Sequence, residues 1–275
     1  MPKLPVLQAA EAATEKLEEL RAAAVAVDLT GPARRKLLAA VSSMQSKIDE
    51  IGRSVDHVGL PDAFFDPTDP RLIGYFVALA LIAQGRKPLA GVGRFYGSGV
   101  YAIYYVGDVA LYQPISGTET PVYVGKADPD GQPKSVVEQG TKLADRLNEH
   151  AKNIDKVEGI EIKDFEYRAL AVQSGYQAAA ESHLIKLFRP VWNNETKILF
   201  GISKHGDASS TRANNRSPWD TVHPGRAWAA GNREGKSIEM IQADVARHFM
   251  SARIYQSTAD VFAAFVSAIA AEDKL

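Results

Sequence analysis

GSGVYAIYYVGD at residues 97–108 and PVYVGKA at residues 121–127 decide the fold of this chain. In the first stretch, β-branched and aromatic residues run without a break from Val100 to Val106, which is typical of a β-strand. Successive side chains of a strand point to opposite faces, so Tyr101 and Tyr104 are expected on opposite sides of a sheet. The spacing of the two stretches predicts neighbouring strands in one small sheet.

Strand and helix patterns continue after the first stretch. A second strand is predicted at Val122 to Val124, a helix from about Thr141 to Lys152 and a strand from about Phe165 to Val172. A further helix is predicted from about Gln177 to Phe188, and Pro190 ends it. The order β, β, α, β, α predicts a compact α+β unit with a three-stranded, mostly antiparallel sheet flanked by helices.

The N-terminal part of the chain has a helical pattern. Residues 1 to about 58 are expected to form helix, broken once where Gly31 and Pro32 supply a stop and a restart. A Pro- and Asp-rich boundary follows, and then a buried helix from Arg71 to about Gln84. After the break, apolar residues recur at alternating spacings of four and three, which predicts the seam of a coiled coil or of a helical hairpin: Leu37, Val41, Met44, Ile48, Ile51 and Val55.

The amino-acid composition excludes several kinds of site and indicates the cellular compartment. The 275 residues are 45% hydrophobic, carry a formal net charge of −1 and contain no cysteine. Disulfides and thiolate zinc sites are therefore excluded, and a reducing cytoplasm is the expected compartment. The acidic N-terminus lacks the pattern of a signal peptide, and the apolar stretch that begins at Leu72 is too short to span a bilayer. We expect no contact with a membrane.

A basic stretch interleaved with Trp219 and Trp228 follows the predicted α+β unit. It contains only two acidic residues, Asp207 and Asp220. Such a stretch is either a solvated loop or a contact for nucleic acid, and composition alone leaves both interpretations open. Its basic residues are Lys197, Lys204, Arg212, Arg216, Arg226 and Arg233.

The glycines at the start of the first stretch also resemble a dinucleotide-binding fingerprint. That fingerprint requires a helix that opens within it, so that its N-terminus meets a pyrophosphate. A strand follows Gly97 and Gly99 instead, and no Lys-Ser or Lys-Thr pair completes a Walker-type loop there. The pattern argues against a nucleotide cofactor.

Three titratable side chains lie on or beside apolar helix faces. Glu181 shares a face with Leu184 and Phe188, so it must find a cation, take up a proton or lie at the exposed rim. Arg146 and His150 are four residues apart and share one face of the preceding helix. Two strand tyrosines, an arginine, a histidine and a carboxylate suit phosphodiester hydrolysis, in which a cation and a guanidinium offset phosphate charge while another group activates water.

With these motifs in order between Gly97 and Asn194, the chain resembles the GIY-YIG nuclease family. The two motifs that name the family correspond to Gly99-Val100-Tyr101 and Tyr123-Val124-Gly125. The resemblance places the family's helix arginine at Arg146, its metal-binding glutamate at Glu181 and its asparagine at Asn193.

The histidine at position 150 and the downstream stretch NNRSPWDTVHPGRAWAAGN are similar to the branch of type II restriction endonucleases that cut CCGCGG. This resemblance implies that Tyr101 is the base that acts on water and that His150 tunes it. It further implies that Tyr123 contacts the scissile phosphate and that Glu181 binds Mg²⁺, with Mn²⁺ able to substitute.

The resemblance implies a site-specific endonuclease that acts on duplex DNA as a homodimer. Repair and homing nucleases of the same family, and an inactive DNA-binding protein with this fold, are the alternatives. The expected regions are a helical extension at 1–60, a linker with the buried helix at 61–95, the catalytic domain at 96–200 and DNA-recognition loops with C-terminal helices at 201–275. The residues expected to contact DNA are Lys126, Lys197, Lys204, Arg212, Arg216 and Arg226.

Overall fold

The structure is a computed structural model, and the chain divides into two compact units, residues 1–61 and 62–275. The first unit holds two helices, α1 (Pro5–Ala26) and α2 (Gly31–Val55), which begin and end around the predicted break. Neither helix contains a buried residue. The parts of the chain that the structure describes are residues 4–27, 29–55, 70–203, 215–232 and 235–272.

The second unit is built on a four-stranded sheet in which every pair of neighbours is antiparallel. The strands are β1 (Lys87–Pro88), β2 (Gly99–Tyr105), β3 (Tyr123–Ala127) and β4 (Phe165–Ala171), in the order β1-β4-β2-β3. The prediction of three strands was therefore wrong by one, because the two residues of β1 are too few to show an alternating pattern. β2 lies in the middle of the sheet, and β3 lies at its edge.

Helices cover both faces of this sheet. Within the described residues, α3 (Pro70–Ile82) and α5 (Gln177–Phe188) pack on one face and α4 (Lys142–Asp155) on the other. The bounds of α5 are those predicted from the sequence, and Arg189 ends it in a left-handed conformation with φ of 47°. In the described part of the chain after α5, the helices are α6 (Pro218–Val222), α7 (Ala227–Ala230), α8 (Ile238–Ser251) and α9 (Thr258–Glu272).

The two faces of β2 enter separate hydrophobic clusters, as the alternation of its side chains predicted. Tyr101 and its neighbours on the same face pack with Leu143 and Leu147 of α4. Val100 and Tyr104 pack with α3 and α5 on the other side. All seven residues of β2 are buried, which fixes its register and makes it the rigid support of the site described below.

The apolar stretch near Leu72 belongs to α3, which packs against α5 rather than standing alone. Within the described part of the chain, no helix combines the length and the apolar character needed to cross a membrane.

Candidate active site

Side chains from β2, β3 and α4 form a cluster on one face of the sheet. The Tyr101 hydroxyl lies 2.7 Å from His150 Nε2, and both residues are buried. The Tyr123 ring lies 4.8 Å from the His150 ring and 6.1 Å from the Tyr101 ring, measured between centroids. Tyr123 is half-buried, whereas Tyr101 and His150 are fully buried.

The glycines of the two motifs give the backbone and Tyr101 room. A side-chain carbon added at Gly125 would lie 2.5 Å from the Tyr101 hydroxyl oxygen, because the phenol crosses directly over this residue. A side-chain carbon added at Gly99 would lie 2.1 Å from the carbonyl oxygen of Leu170 on β4. Gly125 therefore allows the tyrosine to reach its position, and Gly99 allows the strands to pair.

Arg146 adds a positive charge at the rim of the cluster. It lies one helical turn before His150 on α4, is partly exposed and forms an ion pair with Glu149. Burial lowers its pKa, but Tyr101 and Glu149 raise it by more, so the guanidinium stays charged. The predicted Arg146–His150 face thus points at the two motif tyrosines.

Tyr101 is uncharged in the free protein. Burial raises the pKa of its hydroxyl well above the usual range, Tyr123 raises it further, and Arg146 offsets only part of this. A base would be favoured by a lowered pKa, and the net effect of these groups without a bound ligand is a raised one. Tyr101 therefore holds its proton, with the His150 ring nitrogen as its hydrogen-bonding partner.

Asn193 fastens the outer edge of β3 and does not belong to the tyrosine cluster. Its side-chain oxygen accepts the Val124 N–H at 2.9 Å, and its side-chain nitrogen donates to the Val124 carbonyl at 2.8 Å. The residue is buried at 3% exposure, so both halves of its amide are committed to the backbone. Its contacts are those of a residue that positions β3.

Glu181 lies along the same outer edge. Burial raises the pKa of its carboxyl group, Glu195 and Asp128 reinforce that rise, and the Lys126 side chain and main-chain N–H oppose it. Lys126 lies three residues after Tyr123, about 10 Å along an extended strand. The structure thus brings together Tyr101, Tyr123, Arg146 and His150. It places Glu181 near Lys126 and Asn193 at Val124, along the edge of β3.

The residues expected to contact DNA have different environments. Lys126 is partly exposed and paired with Asp128, and Lys197 is exposed in a turn with φ of 56°. Lys204 and Arg212 lie outside the described residues. Arg216 is half-exposed and donates to the carbonyls of Ala229 and Ala230 at 3.3 and 3.1 Å.

The prediction that Arg226 reads a base is wrong in this structure, because its side chain is only 2% exposed. Its Nε donates to Asp220 at 2.7 Å, and its two terminal nitrogens donate to the carbonyls of Ile202 and Gly201 at 2.8 Å. The guanidinium also lies 4.6 Å from the ring centre of Trp219. Arg226 is a structural residue, and a basic, tryptophan-containing stretch gave no signal that one of its arginines would be buried.

Two further residues of the site were not predicted. The Ser203 hydroxyl lies 3.2 Å from the Tyr123 hydroxyl, so Ser203 lies directly beside the cluster. A serine in a loop has no pattern that would reveal this contact. Glu149, by contrast, follows Arg146 by three residues, and helical spacing alone could have identified that ion pair.

A comparison with protein-family models covers the region that holds this site. The family model described as the Eco29kI GIY-YIG domain matches residues 93–249, more than half of the chain. The matched region contains every residue of the cluster and of the β3 edge described above. No curated protein is significantly similar in sequence. The chain belongs to the Eco29kI GIY-YIG domain family, a family of restriction endonucleases, which are nucleases that hydrolyse DNA.

Proposed function

We propose that the protein is a Mg²⁺-dependent type II restriction endonuclease that cuts both strands of duplex DNA at a GC-rich palindrome similar to CCGCGG. The observation that carries the proposal is the 2.7 Å contact between the Tyr101 hydroxyl and His150 Nε2, beside Tyr123 and Arg146. It supplies a proton acceptor next to a positive charge, which hydrolysis of a phosphodiester requires.

In this proposal Tyr101 and His150 act as a pair. Because Tyr101 is neutral, its hydroxyl takes a proton from the attacking water while its own proton passes to His150 Nε2. The water oxygen then bonds to phosphorus, the bond to the 3′ oxygen breaks, and the leaving 3′ oxygen takes up a proton from solvent. No free phenolate forms, so the raised pKa of Tyr101 does not prevent the reaction.

In this proposal Arg146 and Tyr123 bind and orient the scissile phosphate. The Arg146 guanidinium stays charged and partly exposed, so it can neutralise charge that builds on the phosphoryl oxygens. The guanidinium must then interact with the phosphate as well as with Glu149. Tyr123 is half-buried, with its hydroxyl toward Ser203, where it can orient the scissile group.

The surroundings of Glu181 fit a magnesium ion. A half-buried carboxylate whose pKa is raised beside Asp128 and Glu195 gains stability from a nearby cation. Among the described residues, no three His, Asp or Glu side chains gather into a metal site by themselves. Glu181 would therefore hold Mg²⁺ with waters and phosphate oxygens as the other ligands, a common arrangement for this ion. When bound, the ion stabilises the leaving oxygen, and Mn²⁺ can replace it.

Recognition of the DNA sequence is assigned to the basic segment that starts at Lys204. Ser203, the described residue that precedes this segment in sequence, has its hydroxyl 3.2 Å from that of Tyr123, which supports a role near the catalytic cluster. Arg212 and Arg216 remain candidates for guanine contacts, and Lys126, Lys197 and Lys204 for phosphate contacts. A homodimer on a two-fold DNA site supplies the two catalytic clusters that cutting both strands requires.

Digestion of a plasmid of known sequence with Mg²⁺, followed by sequencing of the fragment ends, tests this proposal. Discrete double-strand fragments with one common end sequence are expected. Nicks without a common sequence would instead indicate a repair type of nuclease, and binding without cleavage would indicate an inactive DNA-binding protein. Addition of EDTA should stop cleavage, and renewed Mg²⁺ or Mn²⁺ should restore it.

A further inference from the structure

The buried guanidinium of Arg226 holds one short turn of the chain. Its two terminal nitrogens donate to the carbonyls of Gly201 and Ile202 at 2.8 Å. Its Nε donates at 2.7 Å to Asp220, which is also buried. The three acceptors are spread around the edge of the planar group. An arginine can bind all three at once, whereas a lysine ammonium cannot match their directions.

The surroundings of this guanidinium leave it one position. The rings of Trp219 and Trp228 lie 4.6 and 4.9 Å from it, and the Ser217 hydroxyl donates to the Asp220 carboxylate at 2.6 Å. A buried ion pair adds little net stability, because desolvation of both charges offsets their attraction. What the pair with Asp220 provides is a fixed direction for the remaining N–H groups of Arg226.

The turn at Gly201 and Ile202 has further contacts that fix it. Asn153 donates to the Ile202 carbonyl at 3.2 Å, and it belongs to α4, the helix that also supplies the arginine and histidine of the site. Gly201 has φ of 124°, and a side-chain carbon added there would lie 2.2 Å from the Ser217 hydroxyl oxygen. The turn is therefore held in one conformation from several sides.

Ser203 connects this turn to the tyrosine cluster. It follows Ile202 directly, and its hydroxyl lies 3.2 Å from that of Tyr123. Tyr123 lies on the edge strand β3 and is only half-buried, so packing alone encloses its ring incompletely. A group that orients a reacting phosphate must be held to within about 0.5 Å by supporting contacts. The Ser203 hydroxyl is such a contact.

We propose that Ser203 and Arg226 are positioning residues for DNA cleavage. Arg226 fixes the carbonyls of Gly201 and Ile202, and this turn places the Ser203 hydroxyl. That hydroxyl in turn holds the Tyr123 hydroxyl where it orients the scissile phosphate. The role of Tyr123 in this inference rests on the proposed function, and neither positioning residue has to contact DNA.

Ser203→Ala removes the hydroxyl that contacts Tyr123. On a DNA duplex that contains the cut site, kcat should fall about tenfold, the effect of one hydrogen bond. The dissociation constant for the same DNA, measured by gel shift without Mg²⁺, should stay within about twofold. Ser203→Thr keeps a hydroxyl and should restore kcat. Ser116→Ala is the matched control, because Ser116 is also half-buried and its hydroxyl bonds the Gly107 carbonyl at 2.6 Å.

A double-mutant cycle with Tyr123→Phe separates positioning from a general loss of structure. If Ser203 acts through the Tyr123 hydroxyl, Ser203→Ala should cause no further loss of kcat in the Tyr123→Phe background. A change that only loosened the fold would lower kcat by the same factor in both backgrounds.

The same cycle tests Arg226. Arg226→Lys keeps a positive charge beside Asp220 but cannot bind both carbonyls, so kcat should fall about tenfold or more, and no further in the Tyr123→Phe background. Arg253→Lys is the matched control, because that guanidinium also lies over an aromatic ring, 5.0 Å from the centre of Tyr255, in the cluster on the other face of the sheet. If Arg226→Lys does not fold, Asp220→Asn takes its place and should show the same dependence on Tyr123.

Tyrosine ring signals follow the coupling without any cleavage. In protein labelled with ¹³C in its tyrosine rings, Tyr123→Phe identifies the NMR signal of Tyr123 by its loss. That signal should shift in Ser203→Ala and in Arg226→Lys. It should stay in place in Ser116→Ala and Arg253→Lys.

Equal losses of kcat in the two backgrounds would overturn the proposal, and so would an unchanged Tyr123 signal in Ser203→Ala. DNA cleavage that is insensitive to both Ser203→Ala and Arg226→Lys would support the nuclease function and exclude the positioning role. A protein that cuts no DNA, but whose Tyr123 signal shifts in both variants, would contradict the nuclease function and support the coupling from Arg226 to Tyr123.

Discussion

Tyr101 combines a short hydrogen bond to His150 with nearly complete burial, and both features limit how it can act. At 1% exposure its side chain is almost completely shielded from solvent. Its raised pKa makes a free phenolate costly, so the base role in the proposed function depends on its hydrogen bond to His150. A tyrosine that shared the strand but lacked the histidine could not serve in this way.

Removal of the Tyr101 hydroxyl tests this reasoning. Tyr101→Phe keeps the ring in the hydrophobic cluster and should lower kcat by about a thousandfold, within the range of general-base catalysis. DNA binding, followed by gel shift, should change little. Tyr96→Phe is the matched control, since that ring is 57% exposed, and it should retain full activity. A loss of less than about tenfold in Tyr101→Phe would rule out the role as base.

Glu181 predicts opposite effects on activity and on stability. Its carboxyl group has a raised pKa, so its charged form is destabilised in the fold at neutral pH. Glu181→Gln removes that charge and keeps the shape. It should abolish cleavage while the thermal midpoint in EDTA stays equal or rises. Calorimetric titration with Mg²⁺ and DNA should show that metal binding is lost, and normal cleavage by this variant would contradict the metal role.

At the scale of the element, β3 depends on a side chain in place of a neighbouring strand. Its outer Val124 N–H and C=O are paired with Asn193, which completes the edge of the sheet. Tyr123 and Gly125 flank Val124, so the two hydrogen bonds from Asn193 also position the second motif.

Asn193→Ala should therefore weaken both the fold and catalysis. Two buried backbone groups would lose their partners, at a cost of about 1 to 3 kcal/mol each. Urea unfolding should show a loss of about 2 to 6 kcal/mol, and cleavage should fall because Tyr123 is no longer held. Asn194→Ala, at the exposed neighbouring position, is the control and should leave both unchanged. Unchanged stability in Asn193→Ala would show that the hydrogen bonds from Asn193 to Val124 do not stabilise the fold.

The elements differ in how well the sequence predicts them. The bounds of α5 and the two faces of β2 follow from continuous local patterns, because burial of one face imposes a period on the residues. β1 is too short to have a period. The hydrogen bonds between Asn193 and Val124 join residues 69 positions apart. They depend on the conformation of the loop after α5, and no local sequence pattern predicts that conformation.

The site shows the same contrast. Helical spacing placed Arg146 and His150 on one face, and the structure brings both to the tyrosines. Burial of Arg226 depends on Asp220, Gly201 and Ile202, which meet only after the whole C-terminal region has folded. Local sequence thus predicts which residues share an element, and it does not predict which charged residue the completed fold encloses.

For the molecule as a whole, acid should destabilise the second unit through His223. Its Nε2 lies 2.6 Å from the Tyr112 hydroxyl, and burial lowers its pKa to about 4. At pH values between about 6.5, the ordinary pKa of histidine, and about 4, His223 is protonated in the unfolded chain and neutral in the folded chain. Stability should therefore fall as pH decreases through this window, by about 1.4 kcal/mol per unit and about 3 kcal/mol in total.

Urea unfolding of the unmodified protein and of His223→Gln at pH 7.0, 5.5 and 4.5, values chosen to bracket this window, tests the assignment. Other groups titrate in both proteins, so the difference between them isolates His223. The difference in unfolding free energy should shrink as pH falls. A difference that is constant across these pH values would show that His223 is not the acid-sensitive group.

The buried guanidinium of Arg226 has a consequence for how specificity can change. It bonds the carbonyls of Gly201 and Ile202, which precede the segment 204–214, and Asp220, which follows it. Arg226 thus ties together described residues that lie before and after these positions in sequence. Substitutions within 204–214 should leave these contacts of Arg226 unchanged, so under the proposed function this stretch is the place to test for altered target sequences.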